Sequence, residues 1–225
     1  MLGVVRALIG KDLRLERRTP QLVPAMALFS LSTFVVFHFA LQKDSVAGAL
    51  AGGVLTTTTI FAAILGIGRL FVSEHEDGGF DGFLLAPVDR TAMLLAKAGV
   101  LFLLLVLVQL VAVPAFAVLL LDPTLTAERA LNTALTLLLT DAGISVIGAL
   151  VGALAIQTRS RDLLVPLIAL PMLLPIVIGC AECLEAVFAA GSPEPLPGRW
   201  LTILALYDLV FALLAFAVFD YLIED

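Results

Sequence analysis

The sequence predicts an all-α integral membrane protein with six transmembrane helices, and three observations lead there. Hydrophobic residues make up 61% of the 225 residues and charged residues 14%, whereas a soluble domain carries about a quarter charged residues. Six apolar segments each reach the roughly 20 residues that a helix needs to cross a hydrocarbon core. Lysine and arginine are concentrated at one set of segment ends. Most of the chain is therefore expected to have lipid as its solvent.

The six segments follow one another with short connections. The predicted spans cover residues 21–41, 46–68, 92–121, 130–156, 163–188 and 200–223. The fifth span contains Pro166, Pro171 and Pro175, and each proline bends a helix because it removes a backbone N–H. No connection is long enough for a separate soluble domain. Residues 1–225 are therefore expected to form a single transmembrane domain.

Residues 1–18 are predicted to form a helix that lies in the membrane interface. Apolar residues share one helical face and basic residues the other, a pattern typical of such helices. The apolar face holds Leu2, Val5, Ile9 and Leu13, and the basic face holds Lys11, Arg14 and Arg18. A mobile basic tail is the alternative. No apolar stretch with a small-residue cleavage site is present in this segment, so no cleaved leader is expected.

The positive charges predict the orientation of the spans. Ten of the 13 lysines and arginines fall in the N-terminal segment, in the region 69–97 or in the turn 159–161, all on one side of six spans. The other side holds Lys43, Arg129 and Arg199. Because loops rich in Lys and Arg remain in the cytoplasm, both termini are expected to be cytoplasmic.

Two classes of function are disfavoured. No basic cluster is interleaved with aromatic residues for base stacking, so nucleic acid is not expected as a partner. A phosphate-binding P-loop needs two glycines five residues apart followed by Lys and Ser or Thr, and the nearest approach, at Gly10, Lys11 and Asp12, lacks the first glycine. We expect a non-catalytic subunit without a metal site, whose ATP chemistry comes from another chain.

The longest polar interruption, residues 69–91, is predicted to be a cytosolic loop with a short helix. Gly78 and Gly79 break the direction of the chain, and Pro87 ends the apolar patch that follows them. The patch consists of Phe80, Phe83, Leu84 and Leu85. Exposed apolar side chains on such a loop call for a groove on a partner protein. The alternative is that the patch lies on the lipid interface.

Three stretches resemble a known family: KDLRLERR near the N-terminus, GRLFVSEHEDGGFDGFLLAPVDR after the second span, and LLVPLIALPMLLPIV in the fifth. With the length, the span count and the motif order, they make the chain similar to the CcmB family. That family supplies the haem exporter permease of the cytochrome c maturation ABC complex. The resemblance covers essentially the whole chain, and the central loop is its most specific part. The C-x-x-C at Cys180 and Cys183 departs from it.

The resemblance implies an ABC-2-like permease of the bacterial inner membrane that works as a homodimer within a larger complex. A CcmA-like ATPase, carrying ATP and Mg²⁺, would dock on a coupling helix in the loop 69–91. Membrane subunits similar to CcmC and CcmD and the haem chaperone CcmE would join it, and the loop 189–199 would be periplasmic. Haem is then expected as a substrate, and no cofactor is expected to be held by this chain.

The ATPase-coupling residues are expected within this loop. The positions that match the family motif are Glu74, Gly78, Asp81, Pro87, Asp89 and Arg90, and the apolar patch adds Phe80, Phe83 and Leu84. Two other functions remain open. One is an ABC-2-type exporter of a different lipophilic substrate, and the other is a scaffold that relays ATPase movement to a haem-handling subunit.

Asp141 is expected well inside the fourth span, where an unpaired carboxylate is costly. It either faces a translocation path or a dimer interface, or is hydrogen-bonded to Thr140 or a neighbouring helix without a transport role. Gln109 is expected to make a hydrogen bond between helices. The pair Gly148 and Gly152 is expected to serve helix packing.

The histidines are expected to be polar surface residues, and the cysteines are expected to be structural. His38 and His75 fall on opposite sides of the membrane and cannot ligate one iron together. Cys180 and Cys183 are not followed by the His of a haem-attachment motif. Both cysteines are expected to act as small buried hydrophobes.

Overall fold

The computed structural model describes residues 2–41, 45–71, 90–121, 125–156, 161–191 and 194–222. Over these residues the chain is helical, apart from short connections and one isolated bridge between Val46 and Leu121. The helices are α1 (Leu2–Arg18), α2 (Leu22–Ala40), α3 (Gly48–Arg69), α4 (Arg90–Leu119), α5 (Ala127–Ile156), α6 (Arg161–Val187) and α7 (Gly198–Leu222). Six of them, α2 to α7, are long and apolar enough to cross a membrane. The predicted all-α fold with six spans is confirmed.

Helices α3 and α5 form the centre of the bundle. In each of them 72% of the apolar span is buried, against 11% in α7 and 17% in α2. The outer helices instead expose leucine, valine and phenylalanine, including Leu28, Val118, Leu167 and Leu213. Side chains of this kind on a membrane helix face lipid. The polar residues that matter for function are therefore to be sought where α3 and α5 meet their neighbours.

At one end of the bundle, which we call the Arg129 end, backbone hydrogen bonds join the connections between helices. The Val46 N–H donates to the Leu120 carbonyl at 2.7 Å, and the Gly48 N–H donates to the Phe188 carbonyl at 2.6 Å. Gly48 has φ +55°, a left-handed conformation that glycine adopts without strain. The chain can therefore turn from the bridge at Val46 directly into α3.

At the opposite end, which we call the Lys97 end, α1 packs against α4. The Ile9 side chain lies over Gly99, where a methyl group would be 2.9 Å from the Ile9 Cδ1 atom. A carboxylate oxygen of Glu16 accepts hydrogen bonds from the N–H groups of Gln21 at 3.1 Å and Val23 at 2.9 Å. These donors at the start of α2 have no partners within the helix itself. α1 is thus helical as predicted and anchored to two spans, while its place in the membrane interface stays a prediction.

Helices α3 and α6 approach each other closely at Gly52. A methyl group there would lie 2.9 Å from both the Ala181 carbonyl oxygen and the Glu185 backbone nitrogen. These are backbone atoms, which cannot move aside as a side chain can. Gly52 therefore sets the distance between the two helices, in the way that small residues do in membrane bundles.

Gly52→Ala is expected to destabilise the fold by about 1–3 kcal/mol, the usual effect of inserting a methyl group into a packed core. The matched control is Gly53→Ala on the same helix, because a methyl group at Gly53 meets nothing within 4 Å. Thermal unfolding in one detergent checks both variants. Equal melting temperatures for the two variants would contradict the assigned packing.

Helix α5 also packs through small residues, as expected from the sequence. A methyl group at Gly148 would lie 2.7 Å from side-chain atoms of Ile67 and Leu101. Gly152 in turn lies against the ring of Phe71, 2.9 Å from where its methyl group would be. The glycine pair therefore serves packing within the chain.

The prolines of α6 make that helix dependent on α7. Pro175 has no N–H, which loosens the preceding turn and frees carbonyl groups there. The Tyr207 hydroxyl of α7 donates to the Met172 carbonyl in this turn at 2.7 Å. Within a membrane, neighbouring helices commonly satisfy the backbone groups that a proline frees.

Candidate functional site

Most of the predicted coupling loop lies outside the described residues. This applies to Glu74, Gly78, Phe80, Asp81, Phe83, Leu84, Pro87 and Asp89, and also to His75. Arg90 is the first residue of α4, but its side chain is not described. The role of these residues in ATPase coupling stays a prediction. The structure does describe the residues that flank the loop on both sides and the contacts between them.

A single buried ammonium group connects the two ends of this loop with α1. Lys97 lies in the early part of α4, and its Nζ atom is 2.8 Å from Asp12 Oδ2 on α1. The same ammonium donates to the Leu70 carbonyl at 3.1 Å and lies 5.3 Å from the centre of the Phe71 ring. The exposed fractions of the two charged side chains are 5% for Lys97 and 12% for Asp12. Movement of the loop would therefore reach α1, α3 and α4 together.

Asp141 lies inside the bundle, where its side chain is fully buried. The Gln109 amide of α4 donates to Asp141 Oδ1 at 2.8 Å, so Gln109 makes the interhelical hydrogen bond expected of it. The second oxygen, Oδ2, has no hydrogen-bond partner among the described residues. A carboxyl group in an apolar environment costs several kcal/mol when it lacks such partners. This half-satisfied group is the centre of the candidate site.

A second buried carboxyl group, that of Asp208 in α7, was missed in the sequence analysis. Its Oδ1 atom touches Gly143 of α5, which places it near the same level of the bundle as Asp141. Neither Asp208 oxygen has a hydrogen-bond partner among the described residues. The signal was available in the sequence, because Asp208 is a lone carboxylate within an apolar span just as Asp141 is.

Arg129 is a further residue whose place was not foreseen. It counted in the sequence only as one of the charges on the outer side, yet its exposed fraction is 1%. Its guanidinium donates to the carbonyl oxygens of Ala189 at 3.1 Å and Gly191 at 2.6 Å. Gly191 has φ +89°, which presents its carbonyl to the arginine at low conformational cost. Arg129 thus holds the connection after α6 over the start of α5.

The sequence of this chain is similar to those of known proteins. The family model described as "CcmB protein" matches residues 4–222. The "Heme exporter protein B" of Rhodobacter capsulatus is 32% identical over 179 residues, covering 79% of this chain and 81% of the relative. The protein of the same name from Bradyrhizobium diazoefficiens is 30% identical over 211 residues, 93% of each chain. This chain belongs to the CcmB family. A third relative of that name, from Pseudomonas aeruginosa, is 28% identical over 219 residues.

In this CcmB-family chain Cys180 and His38 have protein partners. Cys180 and Cys183 are buried free thiols, and the Thr56 hydroxyl of α3 lies 3.5 Å from the Cys180 sulfur. His38 Nδ1 lies 2.6 Å from the Leu119 carbonyl at the end of α4. Carbonyl groups in the last turn of a helix lack partners within the helix. His38 therefore ties α2 to the end of α4.

Proposed function

We propose that the chain is the permease subunit of an ABC-type haem exporter that serves cytochrome c maturation. The observation that carries the proposal is the match to relatives named "Heme exporter protein B" along nearly the whole of both chains, 93% of each for the Bradyrhizobium protein. The six apolar helices fit a multi-pass permease. In this proposal a CcmA-like partner binds and hydrolyses ATP, and this chain performs no catalysis.

The proposed orientation puts the Lys97 end in the cytosol and the Arg129 end in the periplasm. It rests on the excess of lysine and arginine at the Lys97 end, ten against three, since positively charged loops stay in the cytoplasm. The inner membrane is the proposed location, with both termini cytoplasmic. The coupling loop then faces the compartment that supplies ATP.

The contacts of the Lys97 end support a route for coupling. A shift of the loop caused by closure of the ATPase would displace Leu70 and Phe71 at the end of α3. Lys97 connects these residues with Asp12 of α1, and Phe71 lies against Gly152 of α5. One displacement would therefore act on α1, α3, α4 and α5 at once. Such coupling requires that the ATPase bind the two arrangements with different free energies.

The proposed partners follow from the family. A homodimer, CcmC- and CcmD-like membrane subunits and the haem chaperone CcmE would surround the chain. Helix α7 suits such contacts because it exposes apolar residues along most of its length, namely Leu206, Leu209, Val210, Leu213 and Phe216. In a membrane these residues can face either lipid or another helix, since both are apolar.

Complementation tests the proposed function. The chain is expressed in a bacterium that lacks its own CcmB-family protein, and covalently bound haem in c-type cytochromes is measured by peroxidase staining of gels. We expect staining to return with the wild-type chain and not with the empty vector. The complex is then purified in mild detergent, where an ATPase should accompany the chain. Expression in the membrane without restored staining would contradict the proposal.

A specific observation keeps the relay scaffold as the second candidate. The cavity between α2, α3 and α4, beside Gln109, has a volume of about 10 Å³, roughly what one water molecule needs. This space cannot hold haem, and the larger cavity of about 330 Å³, beside Met26, Leu65 and Arg69, lies at the Lys97 end of α2 and α3. A relay scaffold needs no internal path, because the haem-handling subunit would carry the substrate.

Asp141→Asn separates the two candidates. Under the export proposal we expect cytochrome c maturation to fall to about a tenth or less, equivalent to at least 1.4 kcal/mol, because the half-satisfied carboxyl group is lost while the side chain keeps its shape. ATPase binding should persist. The matched comparison is Asp81→Lys in the coupling loop. A mild effect of Asp141→Asn with a severe effect of Asp81→Lys would favour the relay scaffold instead.

A further inference from the structure

One face of α5 changes from polar to apolar halfway along the helix. Toward the Arg129 end the face consists of Arg129, Thr133, Thr136 and Thr140, at spacings of four, three and four residues. These spacings place all four side chains on one side of a helix. Toward the Lys97 end the same face continues as Ile144, Ile147 and Val151. All seven residues are at most 1% exposed, so this face lies entirely inside the bundle.

The polar half of this face carries an unusual run of unsatisfied groups. Arg129 Nε and the hydroxyls of Thr133 and Thr136 have no hydrogen-bond partner among the described residues, and neither has Oδ2 of Asp141, the residue that follows Thr140. The Thr140 hydroxyl is hydrogen-bonded to the Cys180 thiol of α6. Four other hydroxyl groups of the bundle behave differently, because they donate to the carbonyl four residues earlier in their own helix. Those hydroxyls belong to Ser30, Thr33, Thr58 and Thr202. The hydroxyls of Thr133 and Thr136 are therefore available to a partner other than the described residues.

Water is the partner that this spacing fits. Side chains on successive turns of one helix face are about 5.4 Å apart along the axis. One water between two hydroxyls at that separation makes two hydrogen bonds of about 2.7–2.8 Å, the usual O–H···O length. Buried polar groups that lack protein partners are commonly satisfied by bound water in this way. A row of four polar side chains over about three such turns therefore describes a site for a single file of waters.

Asp141 provides the inner end of such a file. Gln109 occupies its Oδ1 atom, which leaves Oδ2 for the last water. On the side of Asp141 toward the Lys97 end, the face continues as Ile144 and Ile147. Their side chains form no hydrogen bonds. The other polar groups near this level are the Thr56 hydroxyl and the Cys180 thiol, which contact each other, and the Asp208 carboxyl group of α7, which lies against Gly143. The guanidinium of Arg129 is the charged group on this face, at its outer end, where it opposes the entry of other cations.

We propose that the polar face of α5 binds a file of water molecules from Arg129 to Asp141, through which the Asp141 carboxyl exchanges its proton with the solution at the Arg129 end. The step breaks and forms only O–H bonds: a water gives up a proton, and the carboxyl group returns one to the file. The apolar half of the face prevents the file from continuing to the Lys97 end. The chain would thus hold a half-channel for water that is closed on one side.

Infrared spectroscopy of the full chain in lipid nanodiscs tests this proposal. The carboxyl C=O band of Asp141 is identified by its loss in Asp141→Asn, and its shift is followed after transfer to D₂O. We expect the band to shift in the wild type. In Thr136→Val the shift should be about tenfold slower, because the isosteric valine removes hydrogen bonds from the file. Thr136→Ser, which keeps the hydroxyl, should exchange at the wild-type rate.

Variants of α5 on the two sides of Asp141 test from which end of the bundle water reaches its carboxyl group. Ser145→Ala removes a buried hydroxyl on the other side of Asp141, where Ser145 donates to the Ala142 carbonyl, and should leave the exchange rate unchanged. Thr133→Val should slow exchange as Thr136→Val does. The proposal is overturned by the absence of an Asp141 carboxyl band, by a band that does not shift in D₂O, or by exchange in Thr136→Val as fast as in the wild type. None of these outcomes depends on haem export.

Discussion

Phe83→Asp is expected to abolish co-purification of the ATPase with this chain and, with it, cytochrome c maturation. The apolar patch of the coupling loop, to which Phe83 belongs, is proposed to fill a groove on the ATPase. A buried charge without a partner in such a groove costs several kcal/mol, and a loss of about 4 kcal/mol weakens binding roughly a thousandfold. Affinity purification in mild detergent, followed by quantification of the ATPase, measures the effect.

Phe83→Leu is the matched control, because it keeps an apolar side chain at the same position. It should retain the ATPase at close to the wild-type level. The membrane level of each variant is measured alongside, so that a loss of folded permease is not mistaken for a loss of binding. Retention of the ATPase by Phe83→Asp at the wild-type level would remove the coupling loop from the proposed mechanism.

Lys97→Met is expected to destabilise the fold by about 3–5 kcal/mol, the usual range when one member of a buried ion pair is removed. The methionine keeps the apolar part of the side chain but leaves the Asp12 carboxylate and the Leu70 carbonyl without their shared donor. The melting temperature in detergent should fall accordingly. Coupling should also be lost, seen as ATPase activity that no longer supports cytochrome c maturation.

The second ion pair of Asp12, with Lys11, supplies an internal control for the effect of Lys97→Met on stability. Lys11 also pairs with Asp12, at 3.3 Å, but its side chain is 55% exposed, and exposed ion pairs contribute about 0–1 kcal/mol. Lys11→Met should therefore change the melting temperature little. The double variant Asp12→Asn with Lys97→Met should recover part of the stability, because no largely buried carboxylate is then left without the Lys97 ammonium. Equal effects of Lys11→Met and Lys97→Met would show that the buried link is not what holds α1 to α4.

The spans could be predicted from sequence because each depends on local composition alone. A helix crosses a membrane when its own residues are apolar over enough length, whatever its neighbours are. The predicted span 163–188 and the observed helix Arg161–Val187 differ by one or two residues at each end. The amphipathic pattern of residues 1–18 likewise predicted a helix, observed as Leu2–Arg18.

The candidate site could be predicted only in part. Asp141 was identified because a carboxylate within an apolar span is costly wherever it lies. Its partner Gln109 is 32 residues away on another helix, and no pattern along the chain connects the two. Asp208 is also a carboxylate within an apolar span, so it could have been identified from the sequence in the same way.

The sequence by itself determined the lipid environment, the number and limits of the spans, and the family, because these follow from composition and motif order along the chain. The tertiary structure decided which polar groups are buried and which have partners. Arg129 and Lys97 read as ordinary charges until the fold enclosed them, and the hydroxyls of Thr133 and Thr136 became notable only when none of the described helices supplied their hydrogen bonds. Such facts depend on which helices pack together, and apolar spans that all suit lipid equally well do not specify their neighbours.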